Sequence, residues 1–374
     1  MSLFQSDINL DSRILLAYLA DSISLNSPKL NAISQRYETL DEAVADDFDE
    51  LRSDKLRWLK KWDETKENLA DKVEALNNNL LKDQISLLLH TDPEYPTWLK
   101  NLDDFPLALY YQGDVSKLSQ TLALTVVGSR NVDIYGQLLL EKILGPVCKL
   151  GVGVVSGLAL GIDAAAHKVA LDNGSWTIGV IGSGLDQRSF YPNQNWALRT
   201  RILNTGGLVV SEYPPNKMPN VYTFPQRNRI LAALTDLTWV AQASLNSGSL
   251  ITALRARDLG KTVATTPADI RDVNFGGNLK LLKEGSQIIT ESEDILTLLG
   301  LKTHPEIQPV SAPTTFASPS EKLVYEKLTI KPTKIDDLAS ELNMPSHEIS
   351  THLTMLELNN LVLNIGENQW IRRG

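Results

Sequence analysis

The stretch TLALTVVGSR at residues 121–130 sets the pattern from which the fold is predicted. An apolar run, Leu122 to Val127, ends at Gly128, and a helical pattern begins near Tyr135. Six further apolar runs follow with helical stretches between them: Gly153 to Ser156, Thr177 to Ile181, Leu208 to Ser211, Leu237 to Gln242, Thr262 to Thr265 and Gln287 to Thr290. Buried strands that alternate with helices are typical of a doubly wound, mostly parallel sheet. The sequence therefore predicts an α/β fold with ligands at the carboxyl ends of the strands.

The two ends of the chain carry other patterns. The first 75 or so residues show helical spacing without strand alternation, and residues 85–113 are interpreted as an extension that covers the core. Four prolines between 301 and 319 predict a linker, beyond which two helical runs and a strand pair joined at 366–368 predict a winged helix. We therefore divide the chain into a helical (SAM-like) domain at 1–80, the sheet domain at 81–300, a linker at 301–319 and a winged-helix domain at 320–374.

Composition places the chain among ordinary globular proteins and excludes several classes. Of its 374 residues 43% are apolar, and its single cysteine, Cys148, falls in a helical pattern where a small buried side chain is expected. The sequence has no run of about 18 apolar residues and no signal-peptide pattern at residues 1–7. We therefore predict a cytoplasmic protein without membrane contact. The five histidines lack the spacing of a metal site, so neither a metal nor a cofactor is expected.

Charge is distributed unevenly along the chain, although the net charge is −9. Residues 1–120 carry 13 Lys and Arg against 22 Asp and Glu, residues 121–290 carry 16 against 11, and residues 291–374 carry 7 against 12. The centre thus has a net charge of +5 between two acidic arms. Because acidic arms repel a polyanion, we expect the centre to supply any affinity for nucleic acid.

Glycines mark the strand ends where a ligand is expected. The chain has no glycine before Gly113, but it places 18 of its 22 between Gly128 and Gly285. Glycine lets a backbone turn tightly and approach a ligand, and a helix N-terminus that follows attracts an anion. The candidate contacts after the first three strands are Gly128, Ser129, Arg130, Gly157, Gly182 and Gly184. The alternative for Gly128, Ser129 and Arg130 is a tight turn with a solvated arginine. We expect Asp163 to cap the helix after the second strand.

A cationic segment opens a later helix. Arg227, Asn228 and Arg229 follow a proline at the start of this helix, where cations are unfavourable unless an anion is nearby. That anion is either a ligand or an internal partner such as Glu212. Since Arg227 and Arg229 are two residues apart and cannot share a helix face, we expect different roles for them.

Two further segments complete the candidate site. A loop of hydroxyls and glycine runs into a helix N-terminus after a strand and suits a phosphate: Ser247, Gly248 and Ser249. Asn195 follows the aromatic pair Phe190 and Tyr191, which either stacks on bases or anchors its own loop.

Seven motifs in a fixed order resemble a known family. They are Val-Gly-Ser-Arg (127–130), Ser-Gly-Leu-Ala-x-Gly-Ile-Asp (156–163), Gly-x-Gly-Leu-Asp (182–186), Tyr-Pro-x-x-Asn (191–195), Ser-Glu-Tyr-Pro-Pro (211–215), Phe-Pro-x-Arg-Asn-Arg-Ile (224–230) and Ser-Gly-Ser-Leu-Ile-Thr-Ala (247–253). This set resembles the DNA-processing protein A (DprA/Smf) family over residues 85–290. The chain departs from the family at Gln242, where many members have Glu, and at 265–268, where a Pro-Gly turn is usual.

The resemblance implies an extended Rossmann-like domain and a function without catalysis. It implies a protein that binds single-stranded DNA, protects incoming DNA, forms a homodimer, and loads RecA recombinase during natural transformation. The residues selected above would then grip DNA phosphates at the strand ends, with affinity set by cations rather than by base sequence.

Two alternatives remain open at this point. One is a nucleotide-processing enzyme of the phosphoribohydrolase type, with Glu212 as the candidate carboxylate, although the Pro-Gly-Gly-x-Gly-Thr loop of those enzymes is absent. The other is a duplex-binding regulator that uses the winged helix. The helix at 346–358, however, carries Glu348 and Glu357 but no Lys or Arg. Because a groove-reading helix needs cations, we predict that residues 320–374 contact protein, through an acidic surface or an apolar face around Leu353, Leu356 and Leu361.

Overall fold

The structure is a computed structural model, and it describes residues 11–54, 56–301, 316–329, 332–359, 361–366 and 368–372. Nine strands of the described chain form the sheet: β1 (Ser86–Leu89), β2 (Ala108–Gly113), β3 (Ala123–Val127), β4 (Gly153–Ser156), β5 (Thr177–Ile181), β6 (Leu208–Ser211), β7 (Leu237–Val240), β8 (Thr262–Thr265) and β9 (Gln287–Ile288). Their order is β1-β2-β6-β5-β4-β3-β7-β8-β9. The seven predicted strands are confirmed and are mutually parallel.

The interpretation of residues 85–113 as a covering extension is wrong. This segment contributes β1 and β2, which pair with each other in antiparallel fashion, and β2 also pairs antiparallel with β6, as in Tyr110 opposite Ser211. Ala108, Leu109 and Tyr110 are all buried. A strand covered on both faces has no alternation of apolar and polar residues, so its sequence does not mark it as a strand.

The strand order creates a crevice at one edge of the sheet. The chain runs from β3 through β4 and β5 to β6, and then crosses back to place β7 beside β3 on the other side. In such a doubly wound sheet the loops after β3 and β7 leave in opposite directions, which opens a crevice outside the carboxyl ends of these strands. The topology therefore positions the loops at 128–131 and 241–248 around one site.

Helices cover both faces of this sheet. The first six lie before it: α1 (Ser12–Ser22), α2 (Ser27–Ser34), α3 (Leu40–Ala45), α4 (Asp49–Arg52), α5 (Arg57–Thr65) and α6 (Leu69–Lys82). The next seven connect its strands or follow the last one: α7 (Ile134–Lys149), α8 (Ile162–Asp172), α9 (Trp196–Asn204), α10 (Thr223–Leu234), α11 (Ser249–Asp258), α12 (Gly276–Lys283) and α13 (Ser292–Leu298). Cys148 is buried in α7, where burial raises the thiol pKa to about 12. No helix among the described residues is long and apolar enough to cross a membrane.

The N-terminal helices share their hydrophobic core with the sheet. Leu15 and Leu19 of α1 belong to one buried cluster with Tyr110 of β2 and Val209 of β6. The Tyr110 hydroxyl also donates to the carbonyl oxygen of Ala17 at 3.3 Å. Residues up to 301 consequently form one compact unit.

The C-terminal residues form a second compact unit, which starts at residue 302. Its described elements are α14 (Pro319–Lys327), β10 (Thr333–Lys334), α15 (Ile335–Leu342), α16 (Ser346–Leu358), β11 (Val362–Gly366) and β12 (Gln369–Arg372). Three helices and a β10-β12-β11 sheet are the elements of the predicted winged helix. Most of the predicted linker at 301–319 lies outside the described residues.

The prediction that an apolar face of this unit contacts protein is wrong for the residues named. Leu353 and Leu356 are fully buried in the core of the unit itself, and Leu361 packs against that core. The apolar side chains that α16 leaves exposed are instead Met355 and Leu358. The helical spacing of these leucines marks the face of α16 that packs inward, because a small domain buries the apolar face of each helix in its own core.

Candidate nucleic-acid interface

A cleft of about 590 Å³ lies outside the carboxyl ends of β3 and β7. Four segments that are distant in sequence line it: residues 127–131 after β3, Ala159 and Asp163 after β4, Val221 and residues 224–228 at the start of α10, and residues between 244 and 252 at the start of α11. Of the predicted site, the structure brings together Gly128, Ser129, Arg130, Arg227, Asn228, Ser247, Gly248 and Ser249 at this cleft. They meet because the carboxyl ends of parallel strands share one edge of the sheet.

The backbone of Gly128 and Ser129 is engaged within the protein. A Cβ atom on Gly128 would lie 2.6 Å from Ile162 Cγ1 and 2.7 Å from the Gln242 carbonyl oxygen, so a side chain has no room here. The N–H group of Ser129 donates to the Gln242 carbonyl oxygen at 2.7 Å, and the Ser129 carbonyl accepts from the Ile162 N–H at 3.0 Å. The predicted contact of Ser129 with a phosphate therefore cannot come from its N–H group, which is already engaged. These residues shape the cleft rather than donate from their amides.

Arg130 is the exposed cation of the cleft. Its guanidinium lies over the ring of Phe224, with its central carbon 5.1 Å from the ring centroid. Within the described parts of the chain, no carboxylate oxygen lies within 4 Å of this guanidinium. A cation that is held on an aromatic face and is not neutralised remains available to an anionic ligand.

Arg227 has a different environment, although it stands in the same cleft wall. It is buried, and its Nη1 donates to the carbonyl oxygen of Val180 at the end of β5 at 2.7 Å. A Cβ atom on Gly157 would overlap this guanidinium, so the glycine is needed to let Arg227 pass. Burial lowers the pKa of Arg227 to about 10, while the nearby charge of Asp163 opposes that shift.

Asp163 is not the helix cap that the sequence predicts. Gly161 caps α8, and Asp163 lies inside its first turn, fully buried. Its Oδ2 accepts the N–H of Gly157 at 3.1 Å. Burial raises the pKa of Asp163, and the charge of Arg227 and hydrogen bonds from backbone amides oppose the rise. The carboxylate therefore occupies the N–H group of Gly157, a residue that the sequence predicts as a ligand contact.

Arg229 points away from the cleft. Its guanidinium lies between two carboxylates, 2.6 Å from Glu212 Oε1 and 3.3 Å from Asp104 Oδ2. Arg227 and Arg229 thus have different roles, as predicted from their spacing, and Glu212 is the internal partner of one of them. The expected phosphate contact of Arg229 is wrong, because this guanidinium is already neutralised and 8% exposed. Burial raises the pKa of Glu212, and the positive charge and hydrogen bond of Arg229 oppose this rise.

The start of α11 provides the hydroxyl groups of the cleft. Ser249 begins the helix after Gly248, and the Ser247 hydroxyl accepts the N–H of Ser249 at 3.3 Å. The hydroxyl oxygens of Ser247 and Ser249 lie 2.7 Å apart, and the Asn228 amide donates to the Gly248 carbonyl at 3.3 Å. The N–H groups of Leu250 and Ile251 also donate at 3.2 Å, to the carbonyl oxygens of Ser247 and Gly248. The two hydroxyls and the positive end of the helix dipole, rather than free amides, therefore make this a favourable position for a phosphate.

The remaining predicted residues lie outside this cleft. Gly157 and Gly182 line a smaller bay beside it. Gly184 donates its N–H to the Lys217 carbonyl at 2.9 Å, and Asn195 donates its amide to the carbonyl oxygens of Leu158 at 2.9 Å and Ala159 at 3.0 Å. Gly184 and Asn195 therefore hold loops in place instead of lining the cleft.

Two protein-family models match this sequence. The family model described as DNA recombination-mediator protein A matches residues 86–300, which is more than half of the chain. The chain belongs to that family. A model of the DprA winged helix domain also matches residues 308–365.

Relatives of known name share this assignment. Protein Smf of Escherichia coli is 35% identical over 279 residues, which cover 72% of this chain and 73% of that protein. The DNA processing protein DprA of Streptococcus pneumoniae is 42% identical over 205 residues, which cover 55% of this chain and 71% of that protein.

Two solved structures of the recombination-mediator family are also similar. The X-ray structure of DprA from Streptococcus pneumoniae has a TM-score of 0.62 at 31% identity and covers 78% of this chain and 97% of its own. DNA processing protein A from Helicobacter pylori, which binds single-stranded DNA in a mode described as unique, has a TM-score of 0.52 at 31% identity. Its match covers 58% of this chain and 95% of that one.

Phe224 is a residue of the cleft that the sequence did not lead us to predict as a contact in this family member. Phe224 lines both the cleft and the bay and supports Arg130, but it was not among the candidates. Its position directly before Pro225 at a helix start was a signal that could have found it. An aromatic ring at the edge of a phosphate site is a common partner for nucleobases and guanidinium groups.

Proposed function

We propose that this chain is a non-enzymatic DNA-processing protein that binds single-stranded DNA in the cleft between β3 and β7. The observation that carries this proposal is the arrangement of Arg130, exposed on the ring of Phe224, beside the Ser247 and Ser249 hydroxyls at the N-terminus of α11. A cation and a helix N-terminus favour phosphates, while an aromatic ring favours unpaired bases. This combination suits a single strand better than a duplex, whose bases are stacked inside.

The charge distribution and the relatives support the same function. The cleft belongs to the central segment, which has a net charge of +5, between acidic arms that repel DNA. The Helicobacter pylori relative is described as a single-stranded DNA-binding protein. The enzyme alternative is disfavoured because Glu212, its candidate carboxylate, is engaged by Arg229 at 2.6 Å.

Binding of the full chain to single-stranded and duplex oligonucleotides over a range of salt tests this proposal. We expect tighter binding to the single strand, little dependence on base sequence, and a log-log plot of affinity against salt with a negative slope. A preference for duplex, or the hydrolysis of nucleotides by the same preparation, would contradict it.

We further propose the biological context that the resemblance implies. The protein would act in the cytoplasm as a homodimer, protect incoming single strands, and load RecA recombinase on them during natural transformation. The membership of the family supports this proposal. Light scattering, which measures the mass in solution, tests the dimer.

The domain boundaries that we propose give the N-terminal helices a supporting role. We keep the division at 1–80, 81–300, 301–319 and 320–374, although the helices of the first segment pack on the sheet. Lys217 Nζ donates to Asp21 Oδ1 of α1 at 2.8 Å and thereby ties the loop before α10 to these helices. The helices would then hold the cleft in shape without contacting DNA.

We propose that the winged helix contacts protein rather than DNA. Deletion of residues 302–374 should leave the affinity for single-stranded DNA within about twofold of the full chain, because α16 presents Glu348 and no Lys or Arg. The isolated unit has its own buried core and should show no duplex binding in a mobility-shift assay at near-physiological salt. Duplex binding by this fragment at micromolar concentration or below would overturn the proposal.

A further inference from the structure

A shallow bay lies beside the cleft and shares three residues with it, Arg130, Phe224 and Arg227. Tyr191 and Leu160 form its other exposed walls, with 43% and 37% of their surface accessible. The neighbouring Phe190 is 2% exposed and packs edge-on against Trp196. Of the aromatic pair at 190–191, then, Phe190 anchors the loop and Tyr191 is left facing the bay.

The aromatic groups of the two depressions form one continuous surface. The ring of Tyr191 lies 5.7 Å from the ring of Phe224, which in turn lies 5.1 Å from the guanidinium carbon of Arg130. Gly157 and Gly182 line the bay without side chains, and a Cβ atom on Gly182 would already lie 3.2 Å from Phe224 Cδ1. The walls are mostly apolar apart from Arg130 and Arg227, and the open volume is only about 20 Å³, so a base can lie across the mouth of the bay on the exposed Tyr191 ring but cannot enter it.

We propose that this bay binds one nucleobase of the single strand, with the ring of Tyr191 as its stacking surface and Leu160 as its apolar neighbour. The inference rests on the proposed single-strand binding and adds a base-contacting subsite to it. Arg130 lines both depressions, so a strand whose phosphate lies at the start of α11 can place an adjacent base across the mouth of the bay. Every base has a flat apolar face, so such a subsite needs no sequence preference.

Variants of Tyr191 test the subsite with two DNA ligands. Tyr191→Ala should weaken the binding of a normal single-stranded oligonucleotide on the order of tenfold, as expected for the loss of one stacked base. It should leave the binding of an abasic oligonucleotide of equal length unchanged, and the salt slope should stay at the wild-type value because no phosphate contact is lost. Tyr191→Phe should bind like the wild type.

Tyr222→Ala is the matched control, because Tyr222 is 75% exposed and lines neither depression. It should bind both oligonucleotides like the wild type. Equal losses for the normal and abasic strands in Tyr191→Ala, or a loss in Tyr222→Ala as large as in Tyr191→Ala, would overturn the assignment of the base to the bay.

Fluorescence of the wild-type complex gives an answer that does not depend on a variant's folding. An oligonucleotide with 2-aminopurine at successive positions should show one position that is quenched on binding by stacking on an aromatic ring, and Leu160→Ser should reduce that quenching. Binding without any quenched position would overturn the subsite but leave the proposed function intact. A failure of the wild type to bind any single strand would instead overturn the proposed function.

Discussion

Replacing Arg227 by methionine should lower the free energy of unfolding by about 3–5 kcal/mol, the range for removing one partner of a buried charge pair. Arg227 is buried, donates to the Val180 carbonyl at 2.7 Å, and is the cation beside the fully buried Asp163. Without it, the Asp163 carboxylate remains in the interior with hydrogen bonds but no opposite charge. Urea unfolding measures the change, provided that the slope of the transition is unaltered.

Two further variants separate this structural role from DNA contact. Arg130→Met removes an exposed arginine of the same cleft and should change stability by less than about 0.5 kcal/mol. Arg227→Met combined with Asp163→Asn should recover part of the loss, because the uncompensated charge is gone. A stable Arg227→Met protein that has lost DNA binding would show that Arg227 is a phosphate contact after all.

Replacing Arg130 by alanine should reduce the affinity for single-stranded DNA on the order of tenfold, in contrast to the effect of Arg227→Met. Arg130 is exposed, lies on the Phe224 ring and lines the cleft. The loss of one phosphate contact should lower the magnitude of the log-log salt slope by about 0.7 and act equally on all base sequences. Titrations at several salt concentrations measure both quantities.

Two controls accompany this prediction: one keeps a positive charge at position 130, and the other removes an arginine outside the cleft. Arg130→Lys should preserve the slope but recover affinity only in part, since an ammonium group does not stack or bind in bidentate fashion as guanidinium does. Arg255 is exposed on α11 outside the cleft, and Arg255→Ala should have a small effect. Equal losses for Arg130→Ala and Arg255→Ala would mean that general surface charge, and not this cleft, provides the affinity.

The parallel part of the sheet and the position of the site follow from the sequence alone. The strands from β3 to β8 are short apolar runs, and most of these runs are separated by helical stretches, so both faces must be buried and the connections must cross over. The motifs at 128–130 and 247–249 follow two of these strands. They had to meet at one edge, because parallel strands place all their carboxyl ends on the same side.

Which residues of the motifs face a ligand depends on the tertiary structure and cannot be derived from the motifs themselves. Arg130, Arg227 and Arg229 are chemically identical, yet one is exposed, one is buried against Val180, and one is held by Glu212 and Asp104. These partners are up to 125 residues away in sequence, since Asp104 must come from the segment before β3 to reach Arg229. Local spacing fixes the face of a helix on which a side chain lies, but burial and charge pairing depend on what packs against that face.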